Sequence, residues 1–174
     1  QRALISLFHK EPAVDLIRYL DSQNVDLYAT GGTFGFIESL GIKVTLIEDI
    51  TGFPEILGGR VKTLHPSVFG GILARKDNSS DLKQLEDHRI PLFDMVVVDL
   101  YPFEKTLAGN PSHQDIIEKI DIGGISLIRA AAKNYAHVFV VPAERYFGEC
   151  LRELSENACH VSESAKKKYA SLAF

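Results

Sequence analysis

"DMVVVDLYPF", residues 94–103, decides the fold. Its apolar run is continuous and lacks the polar-apolar alternation of a half-solvated strand, so both faces of the strand must be covered. That is the pattern of a central strand in a parallel sheet with helices on either side. Toward the N-terminus, "ALISLF" (3–8), "DLYAT" (26–30) and "KVTLIEDI" (43–50) read as further strands. Between them, "PAVDLIRYLDSQ" (12–23) and "TFGFIESLG" (33–41) carry apolar residues at helical spacing. Strands separated by helices in this order are what parallel pairing requires, because parallel neighbours need a crossover. Farther on, "HPSVFGGILAR" (65–75) is expected to be a helix and "SSDLKQLEDHRI" (79–90) a polar connector with helical spacing. "HQDIIEKI" (113–120) and "ISLIRAAAKNY" (125–135) read as helices, "HVFVVP" (137–142) as a late strand, and residues 143–174 as helical throughout. The expected fold is therefore α/β, three αβα layers around a central, mostly parallel sheet.

The 174 residues, 45% of them hydrophobic, suffice for one buried core. With no repeat or linker, a single domain over residues 1–174 is expected, with 143–174 as a helical C-terminal extension. The ending at Phe174 within an apolar-periodic segment suggests a piece of a longer chain. A net charge of −4 provides no basic field of the kind that holds nucleic acid. No apolar run approaches the roughly 20 residues that span a bilayer, so no membrane partner is expected either. Cys150 and Cys159 have no zinc-ligand spacing and read as structural thiols in a reducing cytosol. No metal is expected.

In an open parallel sheet, ligands bind beyond the carboxyl ends of the strands, where helix N-termini offer unpaired N–H groups. Four segments stand there: "FHK" (8–10), "TGGT" (30–33), "DLYP" (99–102) and "DIGG" (121–124). The Thr30-Gly31-Gly32-Thr33 turn either lets the backbone approach an anion or simply connects strand to helix. It has neither the glycine spacing of a dinucleotide fingerprint nor the Gly-Lys-Ser/Thr of a Walker loop. "GGRVKTLHPSVFGG" (58–71) holds four glycines, Arg60, Lys62 and Thr63 without one carboxylate. In an extended segment Arg60 and Lys62 point the same way and can grip a phosphate, one as a fork and one as a point charge; the other reading is a solvated basic loop. Asp121 is either an acid–base group or a helix cap, and Lys133 either a proton carrier or a cation at a helix C-terminus. His65, followed by Pro66, reads as structural, and Tyr101 as a hydroxyl held in place.

The words "TGGT", "TGFPEILGGRVKTLHP", "GGILAR", "VDLYPF" and "IDIGGISLIRAAAKN", in this order, resemble the IMP cyclohydrolase domain found at the N-terminus of the bifunctional purine biosynthesis family. The likeness covers about residues 3–142, and it implies a methylglyoxal synthase-like fold. It also implies ring closure of FAICAR to IMP with loss of water, without metal or organic cofactor, by a cytoplasmic homodimer. In that family a second domain acts as AICAR formyltransferase with 10-formyltetrahydrofolate. By this likeness Lys10, Thr30, Gly31, Gly32, Thr33, Arg60, Val61, Lys62 and Thr63 hold the nucleotide, its phosphate chiefly near Lys10 and the Gly-Gly-Thr turn. Val98, Asp99, Asp121 and Ile122 line the base, and Lys133 is the proton donor and acceptor, with Lys62, Tyr101 and Asp121 beside it.

The sequence departs from the family pattern at two places. Phe8-His9-Lys10 stands where Ser-Asp-Lys is usual, and Asp99 where Asn is usual. Either the changes are coupled, with His9 close enough to Asp99 to offset its charge, or they are independent. Two other functions fit the fold. A methylglyoxal synthase needs a catalytic carboxylate just after the first strand, where His9 and Lys10 stand instead. A regulatory nucleotide-binding module needs the phosphate cradle but not the Asp121–Lys133 pair.

Overall fold

The computed structural model describes residues 1–109 and 111–174, Lys105 by its backbone alone. Among these residues five strands form one all-parallel sheet in the order β3-β2-β1-β4-β5. They are β1 (Arg2–Leu7), β2 (Asp26–Ala29), β3 (Val44–Leu46), β4 (Met95–Asp99) and β5 (Phe139–Val141). β1 and β4 are neighbours in register, with Leu7 beside Asp99. The chain builds outward from β1 to β3, then crosses back to place β4 on the other side of β1. The order reverses between β1 and β4, and a crevice opens at their carboxyl ends.

The helices are α1 (Val14–Ser22), α2 (Gly31–Ser39), α3 (Ile47–Thr51), α4 (Pro66–Leu73), α5 (Ser79–Asp87), α6 (Phe103–Ala108), α7 (His113–Glu118), α8 (Gly123–Lys133), α9 (Phe147–Glu156) and α10 (Glu163–Ser171). The two-residue period of the strands sorts the core into two halves. Ala3, Ile5, Leu7, Met95, Val97, Phe139 and Val141 pack on one face against Leu16, Ile17 and Leu20 of α1, Phe147 and Leu154 of α9 and Tyr169 of α10. Leu4, Val96, Val98 and Val140 pack on the other against Val68 and Ile72 of α4 and Leu127, Ile128 and Ala131 of α8. All five residues of β4 are buried, which is why its sequence shows no alternation.

Three expectations need correction. The strand read over 43–50 stops at Leu46, and Ile47 turns into α3, which buries Ile47 and ends at Gly52 in the left-handed conformation, φ 62°. The strand read over 94–103 leaves the sheet after Asp99, and Phe103 already opens α6, a short helix whose sequence has no clear apolar period. Residues 143–174 are not helical throughout, because Ala158 and Cys159, φ 50° and 63°, break the segment between α9 and α10. Both cysteines are unpaired and buried, and burial pushes the Cys150 thiol up, away from reactivity. No helix among the described residues is long and apolar enough to cross a membrane.

Candidate functional site

A pocket of about 530 Å³ opens at the carboxyl edge of β1, β2 and β4, within the range of small-molecule sites. Segments far apart in sequence line it: Lys10 after β1, Thr30, Gly32 and Thr33 after β2, Arg60, Lys62 and Thr63 before α4, Asp99 and Tyr101 after β4, and Asp121 and Ile122 before α8. Gly31 stands at the first position of α2, with Lys62 Nζ 3.9 Å from where its Cβ would be. These are most of the residues singled out in the sequence, gathered at the reversal point of the sheet.

The hydroxyls of the Gly-Gly turn are already engaged. Thr33 Oγ1 accepts from the Leu7 N–H at 2.9 Å, and Thr30 Oγ1 lies 3.3 Å from Ser6 Oγ, so both stitch α2 to the end of β1. What the turn offers a ligand is the backbone N–H groups at the N-terminus of α2. Lys10 lies over this turn, its Cε 3.6 Å from where a Cβ on Gly32 would be.

The stretch 52–63 folds into a tight loop. Ile56 and Val61 form an antiparallel bridge, and Leu57, Gly58 and Gly59 all take positive φ, 56°, 66° and 84°. The glycines adopt this freely; Leu57 does so at a cost of about 1–2 kcal/mol. Lys62 faces Glu55 at 3.8 Å, and Arg60 pairs with Glu118 of α7. Neither carboxylate was visible as a partner in the sequence.

Asp121 caps α8, its Oδ1 accepting from the Gly124 N–H at 2.6 Å. Burial pushes its carboxyl above the ordinary range, and the charge of Asp99 adds to this; the Gly124 N–H and Lys62 oppose it. Gly124 is required by close approach, since a Cβ there would sit 2.8 Å from both Asp121 Oδ2 and Leu100 Cδ2. Tyr101 packs at 5.0 Å from the Phe8 ring, and Lys119 Nζ stands 5.0 Å from its centroid. Its ring is held, but its hydroxyl has no protein partner among the described residues.

Other sequence candidates are placed elsewhere. The Val98 side chain points into the α8 side of the core, and Val61 is occupied in the bridge to Ile56. Lys133 is the last residue of α8, exposed, and outside the pocket lining. A crossover helix starts at the carboxyl edge of a parallel sheet and ends at the amino edge, so Gly123, two residues after Asp121, and Lys133 stand about 15 Å apart along the axis. His65 is structural, as expected, its Nδ1 accepting from the Ser67 N–H at 3.1 Å to start α4.

His9 and Asp99, the two departures from the family pattern, are in contact. Asp99 Oδ2 accepts from the His9 backbone N–H and lies against His9 Nδ1, each at 2.8 Å, while Glu144 Oε2 approaches the same Nδ1 at 3.1 Å. The three side chains form a donor set that a metal ion can use. The distances are equally those of a ring N–H shared between two carboxylates.

A family model described as "MGS-like domain" matches residues 12–126. The chain is 51% identical over 172 residues to the bifunctional purine biosynthesis protein PurH of Bacteroides thetaiotaomicron, covering 99% of this chain and 34% of that protein. It is 44% identical over 174 residues to the protein of the same name from Paracoccus denitrificans, covering 100% of this chain and 33% of that one. The chain thus spans about a third of the length of these curated relatives. Among solved structures it is similar to "Crystal structure of ForH", with a TM-score of 0.82 and 32% identity, covering 100% of this chain and 91% of that one.

Proposed function

Because the chain belongs to the MGS-like domain family and is 51% identical to a protein named for purine biosynthesis, we propose that it is an IMP cyclohydrolase, closing the ring of FAICAR to IMP with loss of water. One observation carries the reading: an anion seat and a half-buried carboxylate share one pocket. Lys10 and the N-terminus of α2 form the seat, Asp121 and Tyr101 line the same pocket, and Lys62 links the two, its Nζ 3.9 Å from the Cβ position of Gly31 and its charge acting on Asp121. A nucleotide monophosphate has this polarity, an anionic tail and a heterocycle rich in N–H groups.

The residue types suit the chemistry. A carboxamide nitrogen is a poor nucleophile, so its attack on the formyl carbon is helped by a base that takes its proton. Asp121, with its carboxyl raised by burial, holds a proton more strongly than an exposed carboxylate and can return it to the leaving oxygen. Lys62 and the Tyr101 hydroxyl are the groups that face the oxyanion formed on the formyl carbon. One C–N bond forms, one water leaves, and no metal or organic cofactor takes part. Both reacting arms belong to one substrate, so holding them in register supplies much of the rate. In this assignment Lys133, at the far end of α8, takes no direct part within its own chain.

The protein is further proposed to act as a cytosolic homodimer, which sedimentation velocity tests. For the reaction, the chain is incubated with FAICAR and IMP formation followed by absorbance. Turnover is expected, and Asp121→Asn should lower kcat by 10²-fold or more while IMP affinity changes by less than about threefold. A folded, IMP-binding wild type that forms no IMP contradicts the assignment.

A further inference from the structure

Three cations line the pocket among the described residues, and two are engaged by carboxylates: Arg60 by Glu118, and Lys62 by Glu55. Lys10 has no carboxylate partner among those residues. Its Nζ donates instead to the Phe8 carbonyl at 3.2 Å. Yet an acid is at hand, since Asp99 lines the same pocket and sits against His9, one residue before Lys10 in the chain.

Asp99 is 8% exposed, and both protein donors to it come from His9, the backbone N–H and Nδ1. Glu144, on the turn after β5, converges on the same ring nitrogen. Carboxylates only accept, so His9 Nδ1 carries the proton that the two acids face. Residues that follow or end three adjacent strands, β1, β4 and β5, are thereby tied together, and one of them, Asp99, lines the pocket.

We propose that His9 is a positioning residue for ligand binding: it anchors Asp99 and Glu144 on its Nδ1 side and so leaves the Lys10 ammonium to the ligand's phosphate. Without the ring, the backbone N–H of residue 9 is left as the one donor to Asp99 among the described residues, and a carboxylate that swings from it to Lys10 would pair with the ammonium, so that an incoming anion would have to break that pair and meet a like charge. His9 removes an internal competitor rather than touching the ligand. This inference rests on the phosphate-seat reading above.

The test is calorimetric titration of the chain with ribose 5-phosphate at fixed pH and low salt, with circular dichroism to verify that each variant is folded. His9→Ala is expected to weaken binding about tenfold. His9→Asn, whose side-chain amide donates from nearly the Nδ1 position, should stay within about threefold of wild type. The double variant His9→Ala/Asp99→Asn should recover most of the loss, because an amide is no rival for the phosphate. Wild-type affinity in His9→Ala overturns the proposal, as does a double variant that binds no better than the single, which marks a merely structural role. If the wild type itself does not bind ribose 5-phosphate, the phosphate-seat reading fails and takes this inference with it.

Discussion

Asp121 is subject to opposing influences: burial and the charge of Asp99 favour its proton, whereas the Gly124 N–H and Lys62 favour its charge, and the first pair prevails. The folded carboxyl therefore binds its proton more tightly than the unfolded one, which titrates near 3.9. Between these two values the folded state holds more protons than the unfolded state, so stability falls as pH rises through that window. Asp121→Asn removes this penalty while its amide oxygen can still accept from Gly124. The variant is expected to gain thermal stability relative to wild type at pH 7 and to lose that advantage at pH 3, below the window. Parallel melting scans at the two pH values check it, and a difference independent of pH would remove burial as the cause. At this scale the sequence was a partial guide. The glycines, Lys10, Lys62 and Asp121 announce themselves by type and position after strands. Glu55 and Glu118 do not, because Glu118 lies 58 residues from the Arg60 it pairs with, and only the tertiary fold joins them. His9 and Asp99 were legible only as two paired departures from a family pattern.

At the scale of elements, α8 explains both what reaches the pocket and what does not. Its N-terminus fits under Asp121 because Gly124 has no Cβ. Gly124→Ala is expected to cost about 1–3 kcal/mol by overpacking against Leu100 and to displace the Asp121 carboxylate. Denaturant unfolding and the rate of IMP formation from FAICAR should show both losses together; an unchanged kcat would mean that the Asp121 position tolerates the shift. The C-terminus of the same helix carries Lys133 to the opposite edge, more than a Debye length away at physiological salt. Lys133→Ala should therefore change IMP affinity by less than about twofold. Periodicity revealed α8 because its apolar face is long, whereas α3 and the start of α6 escaped because their residues continue the strand runs read over 43–50 and 94–103. β-branched residues in "KVTLIEDI" favoured a strand, and burial of Ile47 in α3 overrode that local preference.

For the whole molecule, the site follows from the topology. Crossing from β3 back to β4 puts the ends of β1 and β4 side by side, and the loops that follow β1, β2 and β4 then share a rim with the turns before α4 and α8. The alternation of helices and apolar runs made the parallel sheet legible; the strand order was not, since no local pattern says on which side of β1 the fourth strand returns. The central claim is spatial: one ligand spans the seat at Lys10 and α2 and the carboxylate at Asp121. A crystal structure of the chain soaked with IMP tests it most directly. The account predicts the phosphate within about 3 Å of Lys10 Nζ and the α2 N–H groups, and the heterocycle against Asp121 and Tyr101; IMP bound in the reverse orientation, or at another face, would contradict it.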